Sequence, residues 1–129
     1  MSILKPIYEL SVWKEVLNTE NGTKTEVKEA IIGADDMSAL GRATNIQLKR
    51  ELKGTNTLTF QMPSKFFDSQ KGKYVHNDLV DYVFNERKIK LKFNDEWYEF
   101  YVKKIDEKKN FKSIMYNYTC NSRHCYRMV

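Results

Sequence analysis

The segment Arg87-Lys-Ile-Lys-Leu-Lys-Phe-Asn-Asp-Glu-Trp-Tyr-Glu-Phe-Tyr-Val-Lys-Lys-Ile105 decides the fold class of this chain. Ile89, Leu91 and Phe93 alternate with Lys88, Lys90 and Lys92. That period of two belongs to a strand with one buried and one wet face. Asn94-Asp95 follows, and both residue types tolerate the positive φ of a tight hairpin turn. Trp97, Tyr98, Phe100, Tyr101 and Val102 load the returning strand with aromatics. The segment predicts an antiparallel β-hairpin.

The same alternation extends in both directions. Towards the N-terminus, Ile7–Val16 predicts a strand with Tyr8, Leu10, Val12 and Val16 on one side, interrupted by Lys14. Asn21-Gly22 is a hairpin signal, and Thr25–Ile32 predicts the strand that pairs back. Gly33-Ala-Asp-Asp36 ends it. Ser38 is a candidate cap for a short helical turn, which Gly41 keeps short. Ile46–Leu52 reads as a strand with Ile46, Leu48 and Leu52 inward, although Leu, Lys, Arg and Glu are also good helix formers. Thr57-Leu-Thr-Phe-Gln-Met62 alternates without fault up to Pro63, which has no amide to donate. Ser64–Lys73 is predicted to be an excursion loop carrying Phe66 and Phe67. The one helix expected covers about residues 75–86, with Asn77 or Asp78 as cap and Leu79, Val80, Val83 and Phe84 as its apolar stripe. Beyond the aromatic hairpin, Asp106–Asn110 predicts a charged turn and Phe111–Cys120 a last strand, with Ile114, Tyr116, Tyr118 and Cys120 on one face.

About seven short strands joined by turns make the chain mainly β: a small antiparallel curved sheet or barrel with at most one short helix. The 129 residues suit a single domain. It is expected over residues 1–120, with 121–129 as a short, poorly ordered tail. Apolar residues at 41% and charged residues at 30% are ordinary for a globular protein, whereas 13% aromatics, eight of them Tyr, favour strands and interfaces. There is no run of eighteen apolar residues. Met-Ser-Ile-Leu-Lys-Pro at the start does not read as a signal peptide, and two cysteines do not make a disulfide framework. Reduced thiols in a cytoplasmic product are therefore expected. The net charge of +5 is uneven: Met1–Asp36 holds four Lys against seven acids, and Arg87–Lys112 nine cations against five acids. Such opposed patches fit solvated β edges, head-to-tail self-association, or nucleic-acid contact.

The chemistry-bearing residues are sparse. Cys120, His124 and Cys125 lie within six residues, but a structural zinc needs a fourth ligand. Asp35-Asp36 has no partner that would separate the two pKa values. His76 has no nucleophile motif beside it. The five glycines are isolated, which excludes a phosphate loop. No catalytic residue, metal ligand or cofactor is expected, and the chain does not read as an enzyme. Lys88, Lys90, Lys92, Trp97 and Tyr101 form the candidate interaction surface. Basic strands with exposed aromatics also track single-stranded nucleic acid, and Trp13 or Trp97 could serve a small carbohydrate-binding module. These are the two alternatives.

The run Asn85–Glu107, followed by Tyr116-Asn-Tyr-Thr-Cys120 and preceded by Thr57-Leu-Thr-Phe60 close to Pro63, resembles the N-terminal region of phage minor structural proteins. These are the tail-associated, or baseplate hub, proteins of siphophages and prophages of Gram-positive bacteria. The resemblance covers roughly residues 5–120. It implies a β-rich tail-tip domain under the tail tube and the distal tail protein, and a homotrimer in the full-length family. From the residues themselves, neither nucleic acid nor a membrane is the expected partner. The resemblance also implies a product assembled in the host cytoplasm and carried at the virion tail tip. The family continues past the Tyr-Thr strand, whereas this sequence gives Asn121–Val129. A truncated prophage gene or an isolated domain is the expectation, without the family's wall-degrading and receptor-binding parts.

Overall fold

Asn94 and Asp95 have φ of 51° and 67°, the left-handed pair that a two-residue hairpin turn requires. Phe93 faces Glu96 across the turn, and the pairing continues through Lys92 with Trp97 and Lys90 with Glu99. The structure, a computed structural model, describes residues 8–35, 40–50, 56–109 and 114–122. In chain order the strands are β1 (Tyr8–Leu17), β2 (Lys24–Ala34), β3 (Thr44–Lys49), β4 (Thr57–Pro63), β5 (Lys65–Asp68), β6 (Lys73–His76), β7 (Lys88–Phe93), β8 (Glu96–Lys109) and β9 (Ile114–Asn121), with a 3₁₀ helix over Asp78–Tyr82 between β6 and β7. Among the described residues no helix is long and apolar enough to cross a membrane.

Seven strands form one antiparallel sheet in the order β2-β1-β7-β8-β9-β4-β3, and β5 pairs with β6 alone. The sheet is curled into a half-barrel. β2 and β3 stand at opposite ends of that order, yet the Ala43 amide donates to the Ile32 carbonyl at 2.7 Å. Register shifts in β1–β2 after Leu10 and Val12, and in β8–β9 after Val102, add the local bend that such curling needs.

The concave side holds the core. Leu10 and Val12 of β1, Ile89 of β7, Phe100 and Val102 of β8, Leu58, Phe60 and Met62 of β4, and Tyr118 and Cys120 of β9 are all buried. Phe60 and Tyr118 lie opposite each other in register and stack, with ring centres 4.9 Å apart. Removing a core ring of this size costs about 3–5 kcal/mol. Tyr116 is half-buried against the same cluster.

The structure corrects several sequence expectations. Ser64–Lys73 is not a loop. Phe66 and Phe67 pair with Val75 and Tyr74 in the β5–β6 hairpin, which Gly72 closes at φ 67°. The helix expected over about 75–86 shrinks to the 3₁₀ helix, because Val75 and His76 belong to β6 and the β-branched Val83 leaves in extended conformation. Asn77 is its cap, as expected, and accepts from the Leu79 amide at 3.2 Å. Asp106–Lys109 is not a turn but the end of the 14-residue β8, because β9 supplies a backbone partner for each of its residues. Val16 is exposed: β1 pairs with β7 only from Tyr8 to Trp13, so the outer half of the β1–β2 hairpin runs on as a two-stranded arm. The strand around Ile46 begins at Thr44. Ser38, Leu52, Asn110, Phe111 and the chain from Arg123 onward lie outside the described residues, whereas Asn121 and Ser122 are tied in: Asn121 closes β9, and the Ser122 amide donates to the Asn56 carbonyl at 3.0 Å.

Candidate functional site

β7 lies between β1 and β8, so side chains from three adjacent strands share its convex face. The pairing puts Trp13 beside Lys88, Ser11 beside Lys90, Glu99 beside Lys90 and Trp97 beside Lys92. The structure thus brings the five predicted residues, Lys88, Lys90, Lys92, Trp97 and Tyr101, onto one surface. The sequence reading left out Trp13, Glu26 and Glu99 from the same surface.

These acids change the character of the face. Lys90 Nζ donates to Glu26 Oε1 at 2.7 Å, and Lys88 Nζ pairs with the other oxygen of the same carboxylate. Glu99 stands 3.7 Å from Lys88 and 3.6 Å from Lys90. Both lysine side chains retain only 14% of their exposure. The hydrogen bonds from Lys88 and then Lys90 hold the Glu26 carboxyl below its ordinary pKa. For Lys88, burial works against the charge, but the Glu26 bond and the Glu99 carboxylate outweigh it and raise the pKa. A further acid, Glu29, pairs with Arg87 and lies 3.6 Å from Lys14.

The aromatics are interleaved with these charges. Trp13 and Trp97 meet edge to face with centroids 6.4 Å apart. The Lys90 ammonium is 4.1 Å from the centre of the Trp13 ring, and Lys92 lies 5.8 Å from that of Trp97. Trp13 Nε1 donates to the buried Ser11 hydroxyl at 2.8 Å, which fixes the indole. Trp97 keeps 48% of its surface exposed. The result is an aromatic patch in which Lys88 and Lys90 are paired with acids, and not a row of free cations. It suits a partner that buries flat rings beside satisfied ion pairs, as protein interfaces do.

His76 Nε2 lies 3.0 Å from both Asp81 carboxylate oxygens, and with Asp78 these exposed groups converge within 4.8 Å of one another. Asp35 accepts from the Tyr8 amide at 3.2 Å, while Asp36 lies outside the described residues. Cys120 is a buried core thiol, and His124 and Cys125 lie outside the described residues. Across the concave side an apolar cleft of about 520 Å³ opens between Tyr8, Leu91 and Phe93 on one wall and Ile46 and Leu48 on the other.

Comparison of the chain with protein-family models, with curated proteins and with solved structures gives no match.

Proposed function

We propose that this chain is a non-enzymatic assembly domain of a phage or prophage tail tip, a baseplate hub module that works by protein–protein contact. Its partners are the distal tail protein and the tail tube, met in the host cytoplasm during assembly and kept at the tail tip of the virion. The observation that carries the reading is the convex patch of Trp13, Trp97 and Tyr101 set among paired charges. Interface cores are enriched in aromatic residues and depleted of free charge. The resemblance of Asn85–Glu107 and Tyr116–Cys120 to tail-associated proteins supplies the biological setting.

The paired lysines weigh against a nucleic-acid track. Counterion release needs cations that are free to meet phosphates, and Lys88 and Lys90 are both engaged by Glu26.

The test is co-purification of the chain with the distal tail and tail tube proteins of a siphophage of Gram-positive bacteria. Retention of the chain is expected, with a loss of roughly tenfold or more in affinity for Trp97→Ala. Absence of any association with either component would overturn the reading. Salt-dependent binding of a labelled single-stranded oligonucleotide would replace it with the nucleic-acid alternative.

A further inference from the structure

A cluster of polar side chains outside the aromatic patch stands where β6 meets the 3₁₀ helix. His76 is the last residue of β6, and Asp78 and Asp81 lie on the helix that follows. This spacing brings one imidazole and two carboxylates to a common point. Their donor atoms lie within 4.8 Å of one another, with His76 Nε2 3.0 Å from each oxygen of Asp81. Donors bound to one zinc ion at about 2.1 Å stand roughly 3.0–3.4 Å apart. His76 and Asp81 already have that separation, and rotation of the exposed Asp78 side chain closes the rest.

The backbone that carries these donors is fixed. Asn77, between His76 and Asp78, is 1% exposed, and its side chain donates to the carbonyls of Gly41 and Pro63. Its own amide donates to the Ser64 carbonyl at 2.9 Å. Donors mounted on a held backbone lose little freedom when they take a ligand. The negative charge is also uncompensated. Among the described residues no lysine or arginine forms an ion pair with Asp78 or Asp81, and the pair at the cluster is that of His76 with Asp81. Lys65, which faces His76 across the β5–β6 ladder, is exposed and pairs with neither carboxylate. A simple histidine–aspartate pair needs one carboxylate, whereas here a second converges on the same point. One imidazole with two carboxylates is a mixed nitrogen–oxygen set. It suits a borderline divalent ion such as zinc better than calcium, whose ligands are all oxygen.

We propose that His76, Asp78 and Asp81 bind a divalent transition-metal ion of the zinc class, with water completing its coordination. The ion ties the end of β6 to the 3₁₀ helix, whose next residue, Val83, enters the core. The inference goes beyond the assembly reading above and does not rest on it.

The test titrates zinc chloride into the full chain carrying His124→Ala and Cys125→Ser, which removes the other histidine and the second cysteine as competing ligands. Calorimetry is expected to show one ion per chain with a dissociation constant below about 1 mM. Nitrogen NMR should show the His76 Nε2 resonance shifting over the same concentrations. The melting temperature should rise with zinc, as it does for any ligand of the folded state. His76→Ala, and Asp78→Asn combined with Asp81→Asn, should each weaken binding at least roughly tenfold. All three positions are exposed, and a thermal melt without zinc confirms that each variant folds. Calcium in place of zinc should leave the imidazole resonance unmoved. No zinc binding up to that concentration, an affinity unchanged in the variants, an unmoved imidazole resonance, or calcium that matches zinc would each overturn the site. Co-purification with tail proteins tests the assembly reading separately, since Trp97 takes no part in this cluster.

Discussion

The Lys90 ammonium stands 4.1 Å from the centre of the Trp13 ring and at the same time bonds Glu26 Oε1 at 2.7 Å. One cation is thereby shared between an aromatic face and a carboxylate. Lys90→Met keeps the stem that packs on the indole and removes the charge. The expected loss is about 1–2 kcal/mol, from a cation–π contact and an ion pair of ordinary size together. Urea unfolding followed by tryptophan fluorescence measures it, and high salt should narrow the gap between the parent and the variant.

Glu26 makes stability depend on acid pH. Its folded pKa lies below the ordinary 4.5 because Lys88 and Lys90 bond the carboxylate. The stabilisation is therefore complete above 4.5 and is lost as pH falls through the folded value. Glu26→Gln should lower the melting temperature near neutral pH and flatten its decline below 4.5. Parallel slopes for the parent and the variant in the acid range would count against this account.

Asn77 ties three segments together and should be among the most sensitive positions. It is 1% exposed, and its amide donates to the Gly41 carbonyl at 2.7 Å and to the Pro63 carbonyl at 2.8 Å. Asn77→Ala strands these carbonyls and the Leu79 amide, at a cost of about 2–4 kcal/mol. Gly41→Ala should also destabilise. Gly41 has φ 78°, and a Cβ there would lie 2.9 Å from Asn77 Oδ1. Chemical denaturation of both variants checks the pair.

Cys120 should be inert in the folded protein. The thiol is fully buried, and burial pushes its pKa up to about 12. Thiolate is the reactive form, so almost none is present at neutral pH. In a Cys125→Ser background, a thiol reagent should label Cys120 only as the molecule unfolds, with mass spectrometry reading the rate. Rapid labelling under native conditions would mean that β9 opens locally.

The turn between β7 and β8 has room for improvement. Asp95 holds φ 67°, a conformation that glycine adopts without a Cβ penalty. Asp95→Gly should raise stability by about 0.5 kcal/mol, readable as a higher urea midpoint.

The hairpin from Lys88 to Val102 was legible because its buried face alternates strictly and its turn residues match the φ they adopt. The strands around Leu10, Phe60 and Tyr118 were legible for the same reason. The β5–β6 hairpin was not. Its four-residue strands are too short for periodicity to register, and Lys65, Asp68, Lys71 and Lys73 gave the segment a loop-like composition. The end of β8 was missed because its charged residues are held by backbone pairing with β9, which leaves no local signature. At the site, the lysines and Trp97 were visible as neighbours in sequence. Glu26 and Trp13 come from a distant hairpin, and only the strand order β2-β1-β7 carries them there. The exposure of Val16 likewise depends on where β7 starts, which no property of β1 encodes.

The pairing of Tyr8 with Phe93 and of Trp13 with Lys88 has a kinetic consequence. β1 and β2 are synthesised early, but the strand that covers the flank of β1 emerges only after most of the chain has been made. During translation, Leu10 and Val12 must wait without β7, and closure of that long loop comes late. Refolding from denaturant should accordingly be slow, on the millisecond-to-second scale of domains dominated by non-local strand pairing. A nascent chain stalled before Phe93 would be a ready substrate for chaperones.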